Sequence, residues 1–232
     1  MFRFDLHVHS WYSPDAADRP EDLIAAAKSR GLHGIAITDH DTCRAHAYCL
    51  KAGLSHPNGL PVEDFLVVPG VEVSSADGHI LCLGVLVDGL TGCPAAQVLR
   101  EVRDRGGIAV PAHPFDGWRH GIGEAGMDAL GPALETIEVF NSAVSSKTYN
   151  EKAAAYAQAR QLTGLAGSDA HHASAVGTSH TELEMDTLDV PSLIAAIRKG
   201  GIPRGTYLSK AEAFKKHFAN LFRKGTPPDD RD

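Results

Sequence analysis

No apolar run in the chain approaches the length needed to cross a bilayer, and no basic stretch followed by an apolar core opens it. Neither a membrane span nor a signal peptide is therefore expected. Cysteine is scarce as well. Cys43, Cys49, Cys82 and Cys93 form no C-x-x-C pair, and a chain of 232 residues needs no disulfide staples, so reduced thiols and a cytoplasmic home are expected. Positive charge is in short supply: 22 Lys and Arg stand against 29 Asp and Glu, a net −7 with a pI near 6.0. That balance excludes a general electrostatic grip on nucleic acid and leaves room only for a locally positive site. Linkers and short-period repeats are missing too, which points to one main domain.

What the sequence has in excess is histidine, with 13 residues. Two of them lie in the strand-like stretch 2–10, where alternation puts Asp5, His7 and His9 on one face and Phe4, Leu6 and Val8 on the other. Two imidazoles on one side of a strand end can grip one metal if other segments deliver more ligands.

The rest of the chain alternates strands and helices. Residues 19–30 read as a helix, with Pro and acids in the first turn, basic residues in the last and Gly31 as a stop. Strands are expected at 34–40, 65–72, 79–87, 108–113, 136–140 and 162–166, with a weak last one at 202–207. The short connection 74–78 suggests a hairpin-like pairing of the strands around it. Helices are expected at 44–54, 94–105 and 146–161 and from Pro191 to the Gly200–Gly201 stop, and residues 116–126 read as a glycine-rich loop. This order predicts one parallel-rich α/β domain over 1–208, most simply a barrel. A basic helix at 209–224 and a disordered tail complete the chain to 232.

Candidate ligands collect at strand ends: His7 and His9, then His40, Glu72 and His113, then Asp169 and His171. In a barrel these positions meet at one rim, where such folds carry their active sites.

In chain order, Asp5-Leu6-His7-Val8-His9, Ile37-Thr38-Asp39-His40, Pro69-Gly70-Val71-Glu72, Ala112-His113-Pro114 and Gly167-Ser168-Asp169-Ala170-His171 resemble the motifs of the PHP (polymerase and histidinol phosphatase) family. The similarity is to its small stand-alone metal-dependent phosphoesterases and spans residues 2–207. It implies a distorted, TIM-like (β/α)7 barrel with a metal centre at the C-terminal rim of the strands. It also implies three divalent ions and hydrolysis of phosphate esters by metal-activated hydroxide. On the matching positions, His7, His9, Glu72 and Asp169 would hold the first ion, with Glu72 bridging to a second completed by His79 and His113. Asp15, His40 and His171 would hold the third; Asp15 stands where several relatives have histidine, which would soften that site or change its metal. Two ions bridged by one carboxylate lie roughly 3.5–4 Å apart and bring the pKa of a shared water to about 7. Mixed imidazole and carboxylate donors suit Mn, Zn or Fe.

Further candidates follow from position. Asp39 either orients an imidazole from behind or caps the next helix, and Asp5 has the same choice. His180 is a candidate to protonate a leaving group or hold a phosphate. Trp118 and Arg119 form a possible lid, stacking a base and pairing with phosphate, or belong to an ordinary loop. Asn141 is placed for a substrate hydrogen bond, and Arg19 and Arg204 for phosphate contact. His33, His46, His56 and His217 read as surface residues, and His172 as facing solvent.

The expected substrate is a nucleotide, a short oligonucleotide or another small phosphate ester. Short single-stranded nucleic acid is a possible partner, with no membrane and no obligate protein partner. Nucleotide-acting relatives often carry a helical insertion where this chain has only about twenty residues, 88–107, so the pocket should be more open there. Two other functional classes compete: a non-catalytic metal-stabilised accessory module, and a metal-dependent amidohydrolase, which usually bridges its metals with a carboxylated lysine.

Overall fold

The fold is given by a computed structural model that describes residues 1–209. The basic helix expected at 209–224, the tail and His217 lie outside the described residues, apart from Ser209. In chain order the elements are β1 (Phe2–Val8), α1 (Pro20–Ser29), β2 (Gly34–Ile37), α2 (Arg44–Lys51), β3 (Leu66–Val68), β4 (Gly70–Ser74), β5 (His79–Leu83) and α3 (Ala95–Asp104). They continue with β6 (Ile108–Pro111), α4 (Gly123–Leu130), β7 (Thr136–Asn141), α5 (Lys147–Arg160), β8 (Thr163–Gly167), β9 (Ser179–Leu183), α6 (Val190–Lys199) and β10 (Ile202–Gly205).

The strands form three ladders rather than one closed sheet: β10-β9-β1-β2-β3, β4-β5-β6 and β7-β8. The pairs β1/β2, β2/β3 and β7/β8 are parallel, whereas β4/β5, β5/β6 and the pairs made by β9 are antiparallel. The architecture is thus mixed α/β, less parallel than alternation of elements suggested. Single bridges join the ladders at Val8/Ala170 and at His40/Glu72, so the seams between sheets run through the segments that carry the histidines.

Pro69 explains one seam. Lacking an N–H, it cannot continue a ladder, and the stretch read as one strand breaks there into β3, paired with β2, and β4, paired with β5. The hairpin expectation holds, since β4 and β5 turn through 75–78. On β4, Val71 and Val73 pack with Val98, Leu99 and Val102 of α3, and period-two alternation sends Glu72 to the opposite, inner face. Phe4, Leu6, Leu81, Leu83, Val110 and Leu165 form the core between the sheets, each burial stabilising by about 1.5–3 kcal/mol.

His46 corrects an expectation. It is buried on α2, not at the surface, with Nε2 at 2.8 Å from the Ile37 carbonyl and 2.9 Å from that of Gly70, where it ties the end of β2 to the break after Pro69. Burial lowers its pKa, which keeps the ring neutral. Two further elements escaped the sequence pattern: α4, inside the glycine-rich stretch, and β9, whose alternating polar residues hid a strand that borders β1.

Replacing His46 with Leu leaves those carbonyls without their donor, and the expected cost is about 1–3 kcal/mol in urea unfolding. An unchanged midpoint would show that the histidine ties nothing.

Candidate metal centre

The site begins where β1 ends. His7 Nε2 and His9 Nε2 lie 3.1 Å apart, and each is 3.3 Å from Glu72 Oε2. Asp169 Oδ1 stands 3.8 and 3.5 Å from the same two nitrogens. On its other oxygen, Glu72 Oε1 meets His79 Nδ1 at 3.0 Å and His113 Nε2 at 3.2 Å. His40 spans the remaining side, with Nδ1 at 3.1 Å from Glu72 Oε2 and Nε2 at 3.6 Å from Asp15 Oδ2, which His171 Nε2 approaches to 2.9 Å. All nine residues expected as ligands are therefore gathered in one place. Donor atoms from His7, His9 and Asp169, from His7, Glu72 and His113, from His40, Glu72 and His79, and from His9, His40 and His171 each fall within 4.8 Å of one another.

Backbone conformation explains how two of these side chains turn inward. His113 and Asp169 follow β6 and β8 with φ of 31° and 54°, a left-handed conformation that is uncommon for non-glycine residues and concentrates at functional sites. Gly167, just before, has no room for a side chain: a Cβ there would lie 2.4 Å from His7 Cβ and 2.8 Å from Glu138 Oε1.

A layer of partners fixes the rings. His7 Nδ1 donates to Glu138 Oε1 at 3.0 Å, His171 Nδ1 to the Asp169 carbonyl at 2.9 Å, and His9 Nδ1 to Ser13 Oγ at 3.2 Å. Ser13 in turn donates to Asp39 Oδ1 at 2.8 Å and accepts from the His40 N–H. With Nδ1 engaged from behind in each, Nε2 is the ring atom turned to the centre. His7 and His9 bring their Nε2 atoms within 3.1 Å of one another and onto the same Glu72 oxygen, and Asp15 Oδ1 is buried with no hydrogen-bond partner. The donor set fits divalent metal ions.

The electrostatics are strongly mixed. Burial works against charge throughout the site, yet His7, surrounded by Asp169, Glu138 and Glu72, is raised well above the usual imidazole value. His9 is pushed well below it by burial and by facing His171 and His40. Burial also opposes ionisation of Glu72 and Asp15, but the neighbouring imidazoles hold both well below the carboxylate range.

The remaining candidates separate into near and far. Arg119 reaches in: its guanidinium is paired with Asp169 Oδ2 and lies 3.3 Å from Asn141 Oδ1. Asn141 is fully buried and its amide donates to Glu138 Oε2 at 3.0 Å and Asp169 Oδ2 at 3.1 Å, so it holds the carboxylates instead of offering itself to a substrate. Asp39 accepts from the Ser10 N–H and hydroxyl, both at 2.6 Å, as well as from Ser13. It sits behind the rings and has no access to a reacting atom. Asp5 binds Ser168 and the Gly177 N–H, and burial pushes both Asp5 and Asp39 up to about 6.

His180 alternates away from buried Ser179 and Thr181 and faces Glu182, Arg3 and Arg204, not the centre. Arg204 pairs with Glu182, Arg19 stacks on Trp11 and His172 faces Asp18. Trp118 is 86% exposed. Glu138 is the functional residue that sequence reasoning passed over. A carboxylate in the middle of the apolar run 136–140 was the available signal, because a buried charge needs partners.

A ring of imidazoles around a shared carboxylate, carried on a mixed α/β frame, is the donor set of a metal-binding protein. The PHP domain model matches residues 5–116, and the PHP-associated model matches residues 147–202. The chain belongs to the PHP family. It is similar to the probable phosphatase YcdX of Escherichia coli K12, with 26% identity over 219 residues, 82% of this chain and 88% of the relative. It also resembles uncharacterized protein MJ1587 of Methanocaldococcus jannaschii, with 29% identity over 148 residues, 60% and 81% of the two chains. Among solved structures, a two-domain protein from Bacteroides vulgatus containing a predicted PHP-like metal-dependent phosphoesterase shares the fold. Its TM-score is 0.70 at 18% identity, over 94% of this chain and 69% of the other.

Replacing Glu138 with Gln should leave the protein folded by circular dichroism and weaken divalent-metal binding about 10–100-fold by calorimetry, since the His7 ring loses its charged partner. Wild-type affinity in the variant would mean that Glu138 does not orient the ligand.

Proposed function

We propose that the protein is a metal-dependent phosphoric ester hydrolase acting on a small phosphate ester. The observation that carries this reading is the convergence of five imidazoles on the two oxygens of Glu72, three of the site's histidines having the outer ring nitrogen held from behind. We assign His7, His9, Glu72 and Asp169 to a first ion, Glu72, His79 and His113 to a second, and Asp15, His40 and His171 to a third. The donors suit Mn, Zn or Fe. When bound, such ions supply Lewis acidity, lowering the pKa of water and offsetting charge on the phosphate. The centre in this reading lies at the C-terminal rim of a distorted barrel whose ring of strands is interrupted at the seams.

The chain's own residues divide the remaining work. Arg119, held by Asp169 and Asn141, places a fixed cation beside the centre, suited to a phosphate oxygen. Glu138, Asn141 and Asp39 keep the ligands aimed, so that little reorganisation accompanies reaction. A bridging glutamate in place of a carboxylated lysine favours phosphoester over amide chemistry, and a complete donor set is more than a purely structural module requires. The buried thiols of Cys43, Cys49 and Cys82 agree with a reducing, cytoplasmic setting. Among the described residues no helix is long and apolar enough to cross a membrane.

In the presence of Mn, phosphate release is expected from p-nitrophenyl phosphate or a nucleotide. His7→Ala and Asp169→Asn, the latter chosen because Asn tolerates a left-handed φ, should abolish it while the fold persists. A flat response across nucleotides, bisphosphates, sugar phosphates and short RNA, with metals bound, would overturn the enzyme reading in favour of the accessory module.

A further inference from the structure

A cavity of about 400 Å³ opens beside His79, walled by residues 74–78 on one side and by Gly117, His120 and Gly121 on the other. Its volume lies within the range of about 300–1,000 Å³ typical of small-molecule sites. The walls are joined at the base: the His79 N–H donates to the His120 carbonyl at 2.9 Å, and a Cβ on Gly78 would come within 2.7 Å of the Ile122 backbone. The cavity is thus preformed. From the centre outward the rings of His113, His79 and His120 follow one another at centroid separations of 5.6 and 5.3 Å, the last pair tilted by only 32°. Trp118, on the same turn as His120, is not part of the wall.

Charge in this cavity is one-sided. No Lys or Arg lines it, and its one carboxylate is Asp77, oriented by the Ala95 N–H, which donates to Oδ2 at 2.8 Å. The guanidinium of the site, Arg119, points instead to Asp169 and Asn141. A phosphate at the centre therefore has cationic partners, while a second phosphate in the cavity would meet a carboxylate. Hydroxyl groups suit Asp77 as donors, and a flat heterocycle suits the exposed ring of His120.

We propose that this cavity is the leaving-group subsite, that it takes an uncharged group with hydroxyls and one flat aromatic face, such as a nucleoside, and that Asp77 and His120 set that preference. The proposal rests on the phosphoesterase reading and names the substrate class of the same site. It selects nucleoside monophosphates over bisphosphates.

The test compares adenosine monophosphate, adenosine 3′,5′-bisphosphate and glycerol phosphate with Mn-loaded protein, alongside saturation-transfer NMR of adenosine monophosphate on the protein without added metal. His120→Asn removes the imidazole while tolerating the left-handed φ of 57°. Expected are a kcat/KM at least about tenfold higher for the monophosphate than for the bisphosphate and a KM for the monophosphate raised about tenfold in His120→Asn. The loss in that variant should be smaller for glycerol phosphate, which has no aromatic face, than for the monophosphate, and saturation of the adenine protons should depend on His120. Asp77→Lys should narrow the discrimination against the bisphosphate. Turnover of glycerol phosphate with bisphosphate preferred, or with His120→Asn equal to wild type on the monophosphate, overturns the subsite and leaves the phosphoesterase standing. No turnover of any ester overturns the phosphoesterase, and no saturation transfer to adenine overturns the subsite whatever the turnover.

Discussion

The carboxylate of Glu72 is approached within 3.3 Å by imidazoles from the ends of β1, β2 and β6 and from the start of β5, and much of the molecule is arranged to permit that. A single buried acid facing so many rings concentrates imidazole and carboxylate donors in one volume, the kind of set that divalent ions take. The same convergence accounts for the interrupted sheets: regular ladders would leave no place for His40 and Glu72, or for the residues around Ala170, to swing their side chains into one volume.

Behind the rings lies a second arrangement that costs stability locally and gives the ligands fixed directions. Asp39 holds Ser10 and Ser13, and Ser13 holds His9 and the backbone of His40. Glu138 holds the His7 ring and the His113 backbone, and Asn141 joins Glu138 to Asp169 while its own backbone is tied to Asn150. These contacts share residues, so the site is a connected network rather than a set of independent ligands.

The gathering of candidate ligands was legible for His7, His9, His40, Glu72, His113, Asp169 and His171 because histidines and carboxylates at the ends of apolar runs have few other reasons to be there, whereas Asp15 and His79 came only from the family resemblance. The hairpin of β4 and β5 was legible from its short connection, and the failure of strand pairing at Pro69 follows from its missing donor. What was not legible depended on context outside any one segment. His46 carries no local mark that separates a surface histidine from one bound to two carbonyls of other segments, and the Ser179–Leu183 strand alternates polar residues that point inward to hydrogen-bond β8. For the same reason His180 looked like an acid near the centre, whereas strand parity turns it the other way. Sheet closure was the least accessible feature, because single residues decide whether neighbouring ladders join.

The central claim is that Glu72 is shared between ions, and electron paramagnetic resonance of the Mn-loaded protein addresses it directly. A spin-coupled spectrum that disappears in Glu72→Gln is the result this account requires. Bound Mn giving only isolated, uncoupled signals in the wild-type protein would contradict it.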